Sequence, residues 1–148
     1  TMEAVIKRID SPEKCEIFAK NALNKGREDM AKLAKQRAIQ LRAEAHGATT
    51  EAEKEALEAV YAYEQVLSAK NGKKTRASRT WPMIERHGII SAVERAVNRT
   101  AETQGYTSLV EMGLEEYAFE AVILRYPDQF SESAVEIAQQ RIDEWKNA

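Results

Sequence analysis

The sequence predicts an all-α fold, and three observations lead to this prediction. Apolar residues recur at intervals of three and four over long stretches of the chain, which is the spacing of helices with one buried face. Residues that begin and end helices, such as Ser11-Pro12 and Asn71-Gly72, flank these stretches. No stretch alternates polar and apolar residues for long enough to indicate a strand, and six glycines and three prolines among 148 residues are few for an all-β domain. We therefore expect a bundle of about six to eight helices.

Long helices are predicted in the first half of the chain, over residues 12–24, 27–46 and 50–70. The first begins with the capping hydroxyl of Ser11, followed by proline at the first helical position. The second ends at Gly47, and only a few residues separate it from the third. Both of these helices have about 20 residues and are roughly 30 Å long. We expect them to form an antiparallel hairpin.

Shorter helices are predicted in the second half of the chain. They cover residues 81–87, 89–99, 114–126 and 131–145, and a capped turn is predicted over residues 108–113. Gly88 separates the first two, and Pro127 ends the strongly apolar stretch that precedes the last one. We expect these short helices to pack into a compact group because each has an apolar face.

The polar and basic stretch over residues 73–80, KKTRASRT, has no apolar anchor and is therefore a candidate boundary. The chain as a whole has the length of one domain. We expect a single helical domain over residues 1–148. Its subdomains would be the helical hairpin at 2–72 and the bundle of short helices at 75–148.

The composition excludes several classes of protein. A chain that is 43% hydrophobic has too many apolar residues to be disordered, although 31% of its residues are charged. The single cysteine, Cys15, cannot form an intrachain disulfide, and it lies on an apolar helical stripe where we expect a small buried side chain. No apolar run approaches the ~20 residues that span a bilayer. The first ten residues lack the apolar core of a secretion signal, so we expect a cytoplasmic protein.

No catalytic or metal-binding motif is present in the sequence. The two histidines, His46 and His87, each lie beside a glycine at a predicted helix end, where an imidazolium interacts favourably with the helix dipole. There is no HExxH sequence, no pair of cysteines and no glycine-rich phosphate loop. We therefore expect a domain that is not an enzyme and holds no cofactor or metal.

Glu120 is the one carboxylate that interrupts a strongly apolar stretch, residues 117–124. A helix that is apolar nearly all round is buried, so we expect Glu120 to be partly buried and ion-paired. Arg125 is five residues away and poorly placed on the same helix, so Arg95 or Arg99 of a neighbouring helix is the expected partner. The alternative is a general acid or base whose pKa is raised by burial.

The charges are segregated along the chain. The basic segment, residues 70–99, contains eight basic and two acidic residues, a net charge of +6. The acidic segment, residues 100–148, contains three basic and ten acidic residues, a net charge of −7. Either the basic segment is exposed and binds phosphates, or it packs against acidic residues of the same chain or of a second copy.

Several residue types in the basic segment are suited to contact with nucleic acid. Lysines, arginines and hydroxyls donate to phosphate oxygens, Trp81 could stack on a base, and arginine and asparagine read guanine and adenine. The outline helix, Gly88, helix over residues 80–99 is that of a helix-turn-helix. The candidate contact residues are Lys70, Lys73, Lys74, Arg76, Ser78, Arg79, Trp81, Arg86, Arg95, Asn98 and Arg99.

Each of these features also has a structural interpretation. A charged loop is often only solvated, and Trp81 before Pro82 could anchor the start of a helix in the core. In a helix-turn-helix the base contacts come early in the second helix, whereas Arg95 and Arg99 come late.

Two functions remain after these exclusions. The first is a nucleic-acid-binding helical module, with DNA preferred to RNA as the partner, that acts as an accessory or specificity domain of a larger system. The alternative is a protein–protein interaction or homo-oligomerisation module that does not bind nucleic acid. Neither involves a membrane. The deciding property is whether the positive charge of the basic segment is open to solvent.

Overall fold

Nine α-helices and two short 3₁₀ helices make up the described part of the chain, residues 1–98 and 103–147 of a computed structural model. The α-helices are α1 (Met2–Lys7), α2 (Pro12–Asn24), α3 (Glu28–His46), α4 (Glu51–Asn71), α5 (Thr80–His87), α6 (Ile89–Asn98), α7 (Thr103–Glu111), α8 (Phe119–Arg125) and α9 (Glu132–Lys146). The 3₁₀ helices are Glu115–Tyr117 and Pro127–Gln129. These residues contain no strand, and the predicted all-α helical bundle is confirmed.

Local capping interactions explain where the longer helices begin and end. The hydroxyls of Ser11, Thr50 and Ser131 each accept a hydrogen bond from the backbone N–H three residues further on, at 3.1–3.2 Å. Gly47 and Gly72 end α3 and α4 with positive φ angles of 85° and 68°, a conformation that costs other residues more than glycine. The predicted ends of these helices therefore have a direct physical cause.

The apolar stretch predicted as one helix over residues 114–126 is divided in the structure. The 3₁₀ helix Glu115–Tyr117 is followed by Ala118 in an extended conformation, with φ −61° and ψ 143°, and only then does α8 begin. The prediction of a single helix was wrong here, because the backbone of Ala118 leaves the helical region.

The chain divides into two compact units, Thr1–Gly47 and Ala48–Ala148. The two helices of the predicted hairpin belong to different units, since α3 is in the first and α4 is in the second. Residues 73–80, the candidate subdomain boundary in the sequence, lie within the second unit.

In the first unit, α2 and α3 pack side by side and α1 packs on α3. Small residues allow the close approach: Ala19 and Ala22 of α2 and Ala31 and Ala34 of α3 form a buried cluster. Arg37 on α3 donates hydrogen bonds to two backbone carbonyls at the end of α1, at 3.2 and 3.3 Å.

In the second unit, α4, α6, α8 and α9 share one hydrophobic core. Val93 and Val97 of α6, Val122 and Ile123 of α8 and Ala134 of α9 are all buried there. The strongest contacts join α8 to α9 and α5 to α6. This packing positions the basic segment and the acidic segment within a single unit.

Within the described residues, every helix is either too short or too polar to traverse a bilayer.

Candidate functional site

A single carboxylate on α4 holds the loop over residues 73–79 in place. Glu64 Oε2 accepts hydrogen bonds from Arg76 Nε at 2.9 Å, from the backbone N–H of Ala77 at 2.7 Å and from Trp81 Nε1 at 2.6 Å. The Glu64 side chain is only 11% exposed. Three donors on one buried oxygen fix the loop to the helix, above all because the buried N–H of Ala77 would be left without an acceptor if the loop moved.

A second set of hydrogen bonds ties the same loop to the end of α4. The backbone N–H of Thr75 donates to Ser68 Oγ at 2.8 Å, and Asn71 Nδ2 donates to Thr75 Oγ1 at 3.2 Å. Ala77 and Thr80 are buried. A stretch that looks like a free linker in the sequence is therefore an ordered part of the second unit.

Trp81 has the contacts of a structural anchor. Its indole N–H donates to Glu64, its ring lies 5.1 Å from the ring of Tyr61, and the Arg76 guanidinium lies 5.2 Å from its centre. The ring is half-buried between these groups. Trp81 therefore belongs to the framework of the loop, as in the structural interpretation of its position before Pro82.

Six cationic side chains of the basic segment are exposed and make no ion pair with any residue that the structure describes. They are Lys70, Lys73, Lys74, Arg79, Arg86 and Arg95, and we refer to the surface that they provide as the cationic surface. Arg76 is 61% exposed, but Glu64 binds its guanidinium. Ser78 and Asn98 are also exposed, and Arg99 lies outside the described residues.

The carboxylates of the acidic segment do not pair with these cations in the described ranges 1–98 and 103–147. Two arginines of the acidic segment form ion pairs instead: Arg141 binds Glu120 of the same segment at 3.3 Å, and Arg125 binds Glu55 of α4 at 2.7 Å. The carboxylate that binds Arg76 comes from α4. Among these residues, the acidic segment therefore does not neutralise the exposed cations of the basic segment by ion pairs.

The helix-turn-helix interpretation lacks structural support. Gly88 alone connects α5 and α6, and the first residues of α6, Ile89, Ile90 and Ser91, are half-buried. Glu94 of α6 accepts a hydrogen bond at 2.7 Å from the backbone N–H of Ser131, the residue that caps α9. The part of α6 that would read bases thus packs on its own unit, and only its C-terminal end presents exposed polar groups.

Glu120 is buried on α8 and ion-paired, as its apolar surroundings predict. Its partner is Arg141 of α9, with Arg141 Nη1 3.3 Å from Glu120 Oε2 and both side chains 12–13% exposed. Of the two predicted partners, Arg95 was wrong, since it is exposed and makes no ion pair with Glu120, and Arg99 lies outside the described residues. Burial raises the pKa of Glu120, and Arg141 opposes that shift. Arg141 lies three residues after buried Ala138 on the apolar stripe of α9, a signal that could have identified it.

A cavity of about 460 Å³ lies in the second unit beside the ordered loop. Five half-buried aromatic side chains line it, from α4, α7, the 3₁₀ helix before α8, α8 and α9; they are Tyr63, Tyr106, Tyr117, Phe119 and Trp145. The Glu120–Arg141 ion pair also lines it, together with Arg76, Ser78 and Arg79 of the loop. The sequence does not indicate this cavity because its lining residues are scattered along the chain.

No group of three or more histidine, cysteine, aspartate or glutamate side chains in the described part of the chain could hold a metal ion. Cys15 is completely buried in the first unit, and burial raises the pKa of its thiol. Comparison with protein families, curated proteins and solved structures finds nothing that matches the chain.

Proposed function

We propose that this protein is an accessory module that binds nucleic acid through the phosphate backbone, using the cationic surface. The observation that carries the proposal is the exposure of Lys70, Lys73, Lys74, Arg79, Arg86 and Arg95 without an ion pair to any described residue. Binding to phosphate then requires no internal ion pair to be broken. The favourable free energy of binding comes from counterions that are released from the nucleic acid.

Duplex DNA is the partner that this surface suits best. It carries one negative charge per about 1.7 Å of helix axis, a high density of phosphate for exposed cations to contact. The net charge of −2 for the whole chain does not oppose this, because charges further than about 8 Å are screened at physiological salt. The start of α6 packs on its own unit, so we expect phosphate contacts and little reading of base sequence.

Fluorescence anisotropy with a labelled DNA duplex tests the proposal. Six phosphate contacts predict that the association constant falls by about a thousandfold between 50 and 200 mM salt. The variant K73E/K74E/R79E should lose most of the binding because it reverses three exposed charges. None of these three side chains makes a hydrogen bond or ion pair with a residue that the structure describes, so the fold should be retained.

A matched control reverses two lysines and one arginine of the first unit. The variant R8E/K20E/K32E changes the net charge equally, and all three side chains are exposed. The proposal predicts that this control keeps most of the binding. Absence of binding at 50 mM salt, or an equal loss in both triple variants, would overturn it.

A protein-interaction or homo-oligomerisation role is the second candidate. The observation that favours it is a set of exposed apolar side chains in the first unit: Ile17 is 62% exposed, and Val5 and Leu23 are nearly half exposed. A second copy or a partner that covered these side chains would gain the free energy of removing them from water.

A further inference from the structure

The cavity in the second unit has the size and lining of a small-molecule site. Its volume of about 460 Å³ lies within the range of roughly 300–1,000 Å³ that is typical of ligand pockets. Such pockets are mainly apolar and aromatic, with a few polar groups that orient the ligand. Here the polar groups are the buried Glu120–Arg141 ion pair and the side chains of the ordered loop.

We propose that this cavity binds one nucleotide, that is, a planar aromatic base that carries a phosphate. The site is separate from the cationic surface, which it meets only at Arg79. Three parts of the lining indicate this ligand: the aromatic side chains, the buried ion pair and the cationic loop.

The aromatic side chains offer faces and edges for a planar base. Tyr106 and Trp145 are stacked, with ring centres 4.3 Å apart and planes 13° apart, while Tyr63 and Phe119 are tilted with centres 6.1 Å apart. All four are half-buried and line the cavity. Stacking on aromatic side chains is the common way in which proteins hold an unpaired base, and it tolerates any base because every base has a π face.

The Glu120–Arg141 pair places an acceptor group and a donor group side by side in the lining, with N and O 3.3 Å apart. A base edge presents the same combination, because arginine donates to purine acceptors and a carboxylate accepts from exocyclic amino groups. A purely apolar ligand would fit less well, since it would cover both charges without hydrogen-bonding either.

The net charge of the lining selects an anion. Three arginines, Arg76, Arg79 and Arg141, are among the described residues that line the cavity, together with the carboxylate Glu120. Glu64 binds Arg76 and Glu120 binds Arg141, so the positive charge in excess is that of Arg79. An aromatic cavity with this excess of positive charge repels the ammonium ligands that aromatic cages otherwise hold. Arg79 is free of ion pairs to the described residues and the adjacent Ser78 is exposed, so their side chains are available for the phosphate.

Isothermal titration calorimetry of the full chain with the four nucleoside monophosphates tests the proposal. Dissociation constants in the micromolar range are expected for at least one of them. Adenosine, which lacks the phosphate, and ribose 5-phosphate, which lacks the base, should each bind at least about tenfold more weakly, because each loses one part of the recognition.

Two variants locate the binding in the cavity. Ala96→Leu introduces a larger side chain from α6 into the cavity and should abolish nucleotide binding, whereas Ala69→Leu on the exposed face of α4 should not. Arg79→Ala should weaken binding about tenfold, and Arg8→Ala in the first unit should leave it unchanged. Circular dichroism of each variant confirms that the helices are retained.

An oligonucleotide arm distinguishes the source of the nucleotide. If the site takes a nucleotide of a nucleic-acid strand, a single-stranded decanucleotide displaces the monophosphate and its own affinity falls in Ala96→Leu. If the site takes a free nucleotide, the decanucleotide does not compete. Either result supports the proposal. Failure of every monophosphate and of the decanucleotide to bind in a manner sensitive to Ala96→Leu would overturn it, and duplex binding by the cationic surface would be unaffected by that failure.

Discussion

Glu58 is a buried carboxyl group of α4 whose pKa is raised to about 7. Burial is the main cause, because it removes the water that stabilises the carboxylate. Glu55 and Glu51 raise the pKa further, while Lys54 and Arg125 lower it. The folded protein therefore binds a proton at Glu58 more tightly than the unfolded chain does, and its stability depends on pH through this group.

Replacing Glu58 with glutamine should stabilise the protein at pH 8 and have a much smaller effect at pH 5. The folded pKa lies above the unfolded value near 4.5, so the wild-type protein loses stability as the pH rises from about 4.5 to about 7. Glutamine stays neutral and avoids that loss, so the gain in free energy of unfolding at pH 8 should be about 1–3 kcal/mol. Urea denaturation at both pH values measures it, with exposed Glu44→Gln as the control. An equal gain at pH 5 would contradict this explanation.

The buried acidic residues show what the sequence can predict about single side chains. The burial of Glu120 was predictable because it lies within a stretch of sequence whose other residues are apolar. Glu58 and Glu64 were not, because α4 carries glutamates on several faces and only the packing of other elements decides which ones are buried. Cys15 was expected to be a small buried side chain, and the structure confirms this.

At the level of elements, the Glu64 carboxylate determines the conformation of the loop between α4 and α5. Hydrogen bonds from residues 75–77 of the loop and from Trp81 to side chains of α4 hold the loop in this conformation. This order matters for the proposed function because Lys73, Lys74 and Arg79 are presented by the same loop. A preorganised loop loses less conformational entropy when it binds a ligand.

Glu64→Ala should release this loop and destabilise the fold by about 2–4 kcal/mol, since a guanidinium, a buried backbone N–H and an indole N–H lose their common acceptor. Hydrogen exchange followed by mass spectrometry should show faster exchange confined to the peptides around residues 75–81. The matched control is Glu85→Ala, an exposed position on α5. Unchanged exchange in this region would mean that the loop is held by other contacts.

Helix ends were predictable where local groups determine them, and less so elsewhere. The hydroxyl caps and the glycines with positive φ act within one turn of the helix that they end, so a short sequence pattern contains the necessary information. The extended conformation of Ala118 has no such signal, because neither glycine nor proline is nearby. The helix-turn-helix outline of α5 and α6 depended on which face of α6 is exposed, and tertiary packing decides that.

For the whole molecule, the segregation of charge was visible in the sequence, but the division into two units was not. Gly47 signals only the end of a helix, whereas the division between residues 47 and 48 depends on long-range packing. The cationic surface belongs to the same unit as the acidic segment and yet remains exposed. Composition therefore indicated a charged surface, and only coordinates could show that it is open to solvent. The cavity could not be predicted from the sequence either, because long-range packing brings its lining residues together.

The oligomeric state separates the two candidate functions at this scale. Nucleic-acid binding through the cationic surface needs no second copy of the chain, so we expect light scattering at 150 mM salt to give a mass of 16.7 kDa. Charge pairing between the basic and acidic segments of two copies would give a species of twice this mass. That species should dissociate at about 1 M salt, where the Debye length is about 3 Å, and should be absent in K73E/K74E/R79E.

Apolar association through the first unit would give an assembly that resists salt but is removed by Ile17→Lys, because burial of apolar surface is insensitive to screening. Either assembly would favour the interaction role, whereas a monomer that binds duplex DNA in a 1:1 complex would favour the nucleic-acid role.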